Sequence, residues 1–444
     1  MGDGTMNPLA QKFTAVSLLK FAFPTMITML FMGLYTIGDT IFVSRFVNTD
    51  ALSAINMVTP VINIIVGLGT MLATGGSAVI ARKMGEGKER EASQDFALIV
   101  FCGAALGIWI AVTGVLCMDE IIRGLGAGER LFPYCRDYLM ILLLFTPASI
   151  LQVLFQNLIV TAGRPGFGMA LSLGAGAANV VLDYIFMVPF GMGIRGSALG
   201  TGMGYFIQAA AGVGFFLGGK GNMRFERPAL RPGVLAESCA NGCSELVSQA
   251  AAAVTTFLFN GVMMRLLGED GVAAVTILIY TQFLLTAWYI GFSMGVAPVI
   301  SYHFGGQNEE ELKRIFHICL RFIAASSVLV FSASMAAGSW LAGIFSPVGT
   351  AVYRIARDGF LIFPFSFLFC GWNIFASSAF TALSNGKISA VISFLRTFGL
   401  ITLLLLVLPE VMGVTGVWLA VPAAEFVTML VSARFLRDVL KNSK

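Results

Sequence analysis

Long apolar stretches follow one another along this 444-residue chain, at about 15–46, 51–81, 94–117, 134–162, 168–190, 196–218, 234–265, 271–302, 313–336, 352–382, 388–408 and 414–435. Crossing the hydrocarbon core of a bilayer takes about 20 apolar residues as a helix. Inside that core every backbone N–H and C=O has to be paired within the protein, which leaves helices or a closed barrel. The short alternating segments of a barrel are missing from the sequence. Only 12% of the residues are charged and 57% are hydrophobic, whereas a soluble domain carries about 25% charged residues. The predicted fold class is an all-α polytopic membrane protein with twelve transmembrane helices. Several stretches exceed one bilayer thickness, so tilt, bending or protrusion is expected. Pro24 inside the first removes a backbone hydrogen bond and predicts a bend.

A shift of 220 positions superimposes the two halves of the chain. Asp50 falls on Asp270, Gly75 on Gly295, Gly85 on Gly305, Pro189 on Pro409 and Gly193 on Gly413. Internal duplication of this kind is common in secondary transporters. Six apolar stretches precede a polar connection at 219–233 and six follow it. An even number keeps both halves the same way up, so the repeat is parallel. The expected division is a first six-helix lobe at 1–218, a cytoplasmic linker at 219–233 and a second six-helix lobe at 234–444.

Charge orients the chain. With the N-terminus inside, the inner connections hold most of the Lys and Arg, among them Arg82, Lys83, Lys88, Arg90, Arg224, Arg227 and Arg231. This bias predicts cytoplasmic termini and an integral plasma (inner) membrane location. The first dozen residues show no cleavable signal pattern, so the first apolar stretch is expected to stay as a helix. A net charge of +4 is mild and gives no reason to expect a nucleic-acid partner. The seven cysteines are odd in number, lack CxxC spacing and read as small core residues.

Familiar chemical motifs are missing or misplaced. Gly191, Gly193 and Gly196 spell GxGxxG, but between two membrane stretches rather than in a βαβ unit, so they read as a turn. There is no phosphate-binding GxxxxGK[ST] and no HExxH. Gly196, Gly200 and Gly204 recur every four residues and predict a close helix–helix face.

The informative residues are polar groups deep in apolar runs, because an ionised side chain at the bilayer centre costs about 2.5–3.5 kcal/mol on insertion scales. Asp39 lies in the first stretch. Asn179 and Asp183, four residues apart and so on one helix face, lie in the fifth. Gln152, Gln156 and Asn157 add polarity to the fourth, and Thr201 and Gln208 to the sixth. The second half places Glu245 and Gln249 on one face of the seventh stretch, with Gln282, Asn373, Arg396 and Glu425 further on. Arg396 and Glu425 read as partners. Two carboxylates in one cavity would titrate as a unit, and with an amide and a hydroxyl they also form a hard-oxygen set for a cation.

On these residues the chain resembles the multidrug and toxic compound extrusion (MATE) family. The likeness covers length, twelve helices, two lobes and the first-lobe set Asp39, Asn179, Asp183 and Thr201, with Tyr35 one turn before Asp39 and the bending Pro24. It is similar in that set to the DNA-damage-inducible branch. Another branch uses a Glu on helix seven and an Asp on helix ten. Glu245 could match the former, but FPFSFLFCGWNIFASSAF (363–380) of the tenth stretch has no acid, only Asn373 as a polar candidate. The resemblance implies two lobes around a central cavity, alternating access, and export of cationic or amphipathic drugs by a monomer surrounded by lipid, in exchange for H+ or Na+, H+ slightly preferred, with no other cofactor. Two other classes are weighed against it. A lipid or lipid-linked sugar flippase of the same broad superfamily would have extra helices and a more basic cavity. An intramembrane enzyme would need a nucleophile–base set or metal ligands that the sequence does not specify.

Overall fold

The computed structural model describes residues 7–219 and 223–442. Residues 220–222 of the expected linker lie outside the described residues. Every regular element is helical among those described: α1 (Ala15–Phe46), α2 (Thr49–Gly85), α3 (Glu89–Leu116), α4 (Met118–Gly124), α5 (Phe132–Leu144), α6 (Thr146–Thr161), α7 (Pro165–Met187), α8 (Ile194–Leu217), α9 (Pro232–Gly305), α10 (Glu309–Phe345), α11 (Ala351–Gly359), α12 (Phe367–Ala382), α13 (Gly386–Phe394), α14 (Leu400–Met412) and α15 (Val414–Asn442). A π-helical segment, Leu395–Gly399, joins α13 to α14.

These elements resolve into the expected spans with informative differences. Among the described residues, nine helices are long and apolar enough to cross a membrane, and α5 with α6 makes a tenth, bent by 55°. The run expected as one helix at 134–162 is thus broken at Phe145, where Pro147 enters the next helix at its second position. Proline is tolerated there because the first helical N–H groups have no intrahelical partner. Conversely, α9 reads as one helix of 74 residues but turns at Gly268 (φ 65°, ψ −150°), so it crosses twice. The glycine-rich α8 falls short on hydropathy yet packs among the others as the remaining span.

The duplication is visible in the backbone. Gly193 (φ 57°, ψ −135°) and Gly413 (φ 58°, ψ −137°), equivalent under the 220-residue shift, each precede a helix in the same left-handed conformation. Glycine fits there because it lacks a Cβ. The turn read from GxGxxG is therefore a turn. Gly87 (φ 76°) falls on Gln307 (φ 52°), which also has a positive φ without being glycine.

Two lobes result, α1–α8 and α9–α15, and they meet where α1 and α2 pack against α9. The seam is backbone against backbone. A Cβ on Gly85 would collide with the carbonyl oxygen of Tyr302, and one on Gly305 with that of Arg82. Each of these contacts is the other under the repeat. Gly75 likewise seats against Ser238 and Gly242, Gly242 against Met71, and Gly295 against Ala22. Ion pairs surround this end. Arg82 donates to Glu237 at 2.6 Å and to Ser384 at 2.7 Å. Arg231 reaches Glu91 at 3.0 Å and Gln94 at 3.1 Å, and Lys83 pairs with the buried Asp95. The backbone N–H of Phe13 donates to Glu311 at 2.7 Å.

Candidate functional site

Three helices of the first lobe converge on one polar cluster, each through residues four apart on a single face: Tyr35 and Asp39 from α1, Asn179 and Asp183 from α7, Thr201 and Tyr205 from α8. The convergence depends on small residues. Gly200 lies so close to Asp183, and Gly204 to Asn179, that a larger residue at either place would push the helices apart. The four-residue glycine spacing thus serves the site as well as the packing.

Asp39 and Asp183 face each other across α1 and α7. Tyr35 approaches Thr201 without satisfying its hydroxyl, and Tyr138 and Tyr205 lie within electrostatic range of Asp39. Asn179 and Asp183 are each 2% exposed. Yet Oδ1 of Asp39, Oδ1 of Asn179, Oδ1 of Asp183 and Oγ1 of Thr201 have no hydrogen-bond partner among the described residues. Buried polar atoms are nearly always paired, and leaving one unpaired costs about 1–3 kcal/mol. Four such oxygens around two facing carboxylates form a site chemically suited to a small cation or a shared proton. Tyr205 and Tyr138 were not singled out from sequence. Tyr205 stands one turn after Thr201, a spacing that points to it. Tyr138 carries no such signal, because it arrives from α5 on the far side of the bend.

The other polar candidates sort differently. Gln152 donates to Gln156 at 3.3 Å along α6, whose Nε2 is unpaired. Gln208 donates to Ser172 at 2.9 Å and ties α8 to α7. Asn157 and Glu245 line one cavity between the lobes, with Ser77, Ser301 and Thr381. Gln249 packs against α2 beside Gly67, and Gln282 is half-buried on α9. Asn373 does not line that cavity with Glu245. It is fully buried and donates to Glu425 Oε2 at 2.7 Å and to its carbonyl at 2.8 Å. Arg396 and Glu425 pair as read from the sequence, at 2.9 Å. Pro24 lies inside the continuous α1, where its carbonyl accepts from Thr28 at 2.8 Å.

A family model described as MatE matches residues 24–185 and again 246–407, one match in each lobe. The chain belongs to the MatE family. It is an integral membrane protein of a transporter family, not an enzyme. It is similar to proteins called multidrug export protein MepA, at 24% identity with that of Staphylococcus saprophyticus (96% of this chain, 95% of that protein) and 23% with that of Staphylococcus aureus (96% and 94%). Among solved structures, it matches one described as an outward-facing conformation of a multidrug resistance MATE family transporter, with a TM-score of 0.93 and 20% identity over 100% of this chain and 99% of the other. A transporter of the MOP superfamily from Pyrococcus furiosus matches with a TM-score of 0.90 and 20% identity, over 100% and 99%. These structures establish a shared fold.

Proposed function

We propose that this MatE-family chain is a secondary antiporter that exports cationic or amphipathic compounds in exchange for H+ or Na+, by alternating access of a cavity between its lobes. The observation that carries the reading is the pair of facing carboxylates with four unpartnered oxygens in the first lobe. A proton shared by Asp39 and Asp183 relieves the cost of burying two charges. Sodium held by the same oxygens, with Asn179 and Thr201, does likewise. H+ is preferred because two carboxylates this close hold a proton with no further ligand. The similarity to multidrug export proteins supports the substrate class.

Coupling requires the ion and the exported compound to favour different lobe arrangements. Movement of α1 through Pro24 is the proposed link, since α1 carries Asp39 and also packs against α9 of the other lobe. With both termini cytoplasmic, the glycine seam lies on the inner side, and the described arrangement is closed inward. The working units are then a first lobe at 1–218, a linker at 219–233 and a second lobe at 234–444, acting as a monomer in lipid.

The test is dye transport in inverted vesicles under separate pH and Na+ gradients, for the parent, Asp39→Asn and Asp183→Asn. Gradient-driven transport is expected in the parent and absent from both variants. Unchanged coupled transport in both would remove the cluster from the mechanism. Transport driven only by Na+ would reassign the ion.

A further inference from the structure

The second lobe carries its own buried carboxylates, and their surroundings are the reverse of those around Asp39 and Asp183. Glu425 on α15 is 1% exposed. Its Oε1 accepts from Arg396 Nη2 at 2.9 Å and Nε at 3.1 Å. Its Oε2 accepts from Asn373 Nδ2 at 2.7 Å, and Ser432 donates to Asn373 Oδ1 at 2.9 Å. No side-chain atom of Arg396, Asn373, Glu425 or Ser432 is among the buried unpartnered atoms. The guanidinium is presented by the π-helical segment Leu395–Gly399, a rare local widening that is frequent at functional sites.

The repeat locates this network. Under the 220-residue shift Glu425 falls on Tyr205, one turn from Thr201, and Arg396 falls on Gly176, three residues before Asn179. Arg396 and Glu425 therefore sit on the equivalents of α7 and α8, about one turn from the positions of the first-lobe cluster, while Asn373 joins them from α12, the equivalent of α6. Arg396 is also within electrostatic range of Glu245, which faces the cavity between the lobes. Two acids here have one fixed cation, whereas the two acids of the first lobe have none.

We propose that Arg396 is a tethered counter-cation that fills the second lobe's acid site and so confines exchange of the coupling ion to the first lobe. This rests on the antiport reading for its biological meaning, but the filling itself is a property of binding. A guanidinium is always charged and bonds a carboxylate in a fixed planar geometry, so neither H+ nor Na+ displaces it readily. It balances Glu425 and leaves Glu245 as the acid that faces the cavity. A merely structural ion pair would share this geometry. It would differ in what its removal creates, because a tethered cation leaves behind a site that a free cation enters.

The experiment reads ion uptake by the purified full chain in detergent, with Na+ followed by titration calorimetry and protons by pH change in weakly buffered solution. In an Asp39→Asn, Asp183→Asn background, neither ion is expected to bind at the first-lobe cluster or at Glu425, and any proton taken by Glu245 is common to all the chains compared. Adding Arg396→Gln is expected to restore uptake of one cation per chain, and adding Glu425→Gln as well is expected to remove it again. The Na+ and proton arms identify which ion enters. No uptake by the Arg396→Gln chain would overturn the proposal. So would uptake in the background that Glu425→Gln abolishes, since the site would then be open with Arg396 in place. A second readout is melting of Arg396→Ala with and without methylguanidinium at millimolar concentration. The expected result is a rise in melting temperature that Glu425→Gln eliminates, and no rise would count equally against the idea. If the antiport reading itself fails, parent vesicles show efflux independent of both gradients while these binding results stand.

Discussion

Asp39 and Asp183 each leave a buried carboxylate oxygen without a partner; among the described residues, Glu425 and the Arg396, Asn373 and Ser432 side chains bonded with it leave none. Glu425 is as buried as Asn179 and Asp183, and Arg396 and Glu425 lie on the equivalents of α7 and α8. The difference is one guanidinium. Duplication kept the backbone and let the chemistry diverge. Asp39 falls on Phe259 and Thr201 on Val421, and both of these pack into the second lobe's apolar core. Asn179 falls on Gly399, at the end of the π-helical segment. A lobe whose acids lack a fixed partner is suited to exchange an ion, and a lobe whose acid is fully bonded is suited to stay constant while its neighbour changes.

This contrast can be broken most directly at its functional end. Asp39→Asn or Asp183→Asn should abolish gradient-driven efflux, whereas Gln208→Ala, which removes only a bond to Ser172, should leave coupling intact in the same vesicle assay. If Gln208→Ala uncouples transport too, the cluster is wider than its four oxygens. Next in size is the second lobe. Glu425→Ala strands a buried guanidinium, and removing one partner of a buried pair costs about 3–5 kcal/mol. Thermal melting in detergent should show this, and the double variant Glu425→Ala, Arg396→Met should be more stable than Glu425→Ala alone. Equal stability would mean the pair is solvated after all.

A smaller effect tests whether the lobes share a backbone. Gly193→Ala and Gly413→Ala each force a Cβ into a positive-φ conformation that L side chains rarely adopt and should each cost about 1–3 kcal/mol. A large inequality between them would weaken the structural equivalence. The smallest effect lies at the seam. The Glu237 side chain of the Arg82–Glu237 pair is 36% exposed, and such pairs contribute about 0–1 kcal/mol after screening. Arg82→Gln should therefore increase labelling of a cysteine placed on the inner cavity wall only modestly, and less so at high salt. No change at low salt would show that the glycine contacts alone hold the seam.

Much of this was legible in the sequence. The spans, the parallel repeat and the pairing of Arg396 with Glu425 follow from apolar run length, glycine register and the cost of unpaired charge. The coming together of Asp39, Asn179, Asp183 and Thr201 came from a family likeness, because no local rule says that α1, α7 and α8 meet. The break at Phe145 was hidden in an uninterrupted apolar run. Pro147 was present as a signal, but proline is as welcome at a helix start as it is disruptive within one. The role of Asn373 was illegible for a different reason. From the sequence it is the one amide between Phe363 and Phe380 and reads as a polar candidate without a partner. In the fold its partner is a carboxylate some fifty positions later, and such a long-range bond leaves no trace in spacing.

The seam between Gly85 and Gly305 has a consequence for how such a pump changes its clientele. At these glycines its two halves touch through peptide groups that every sequence possesses, so those contacts demand only smallness of the side chain. Residues that line the cavity, such as Asn157, Met294 and Ser378, stand apart from them. On the antiport reading, the parts that move and the surface that selects are separately editable.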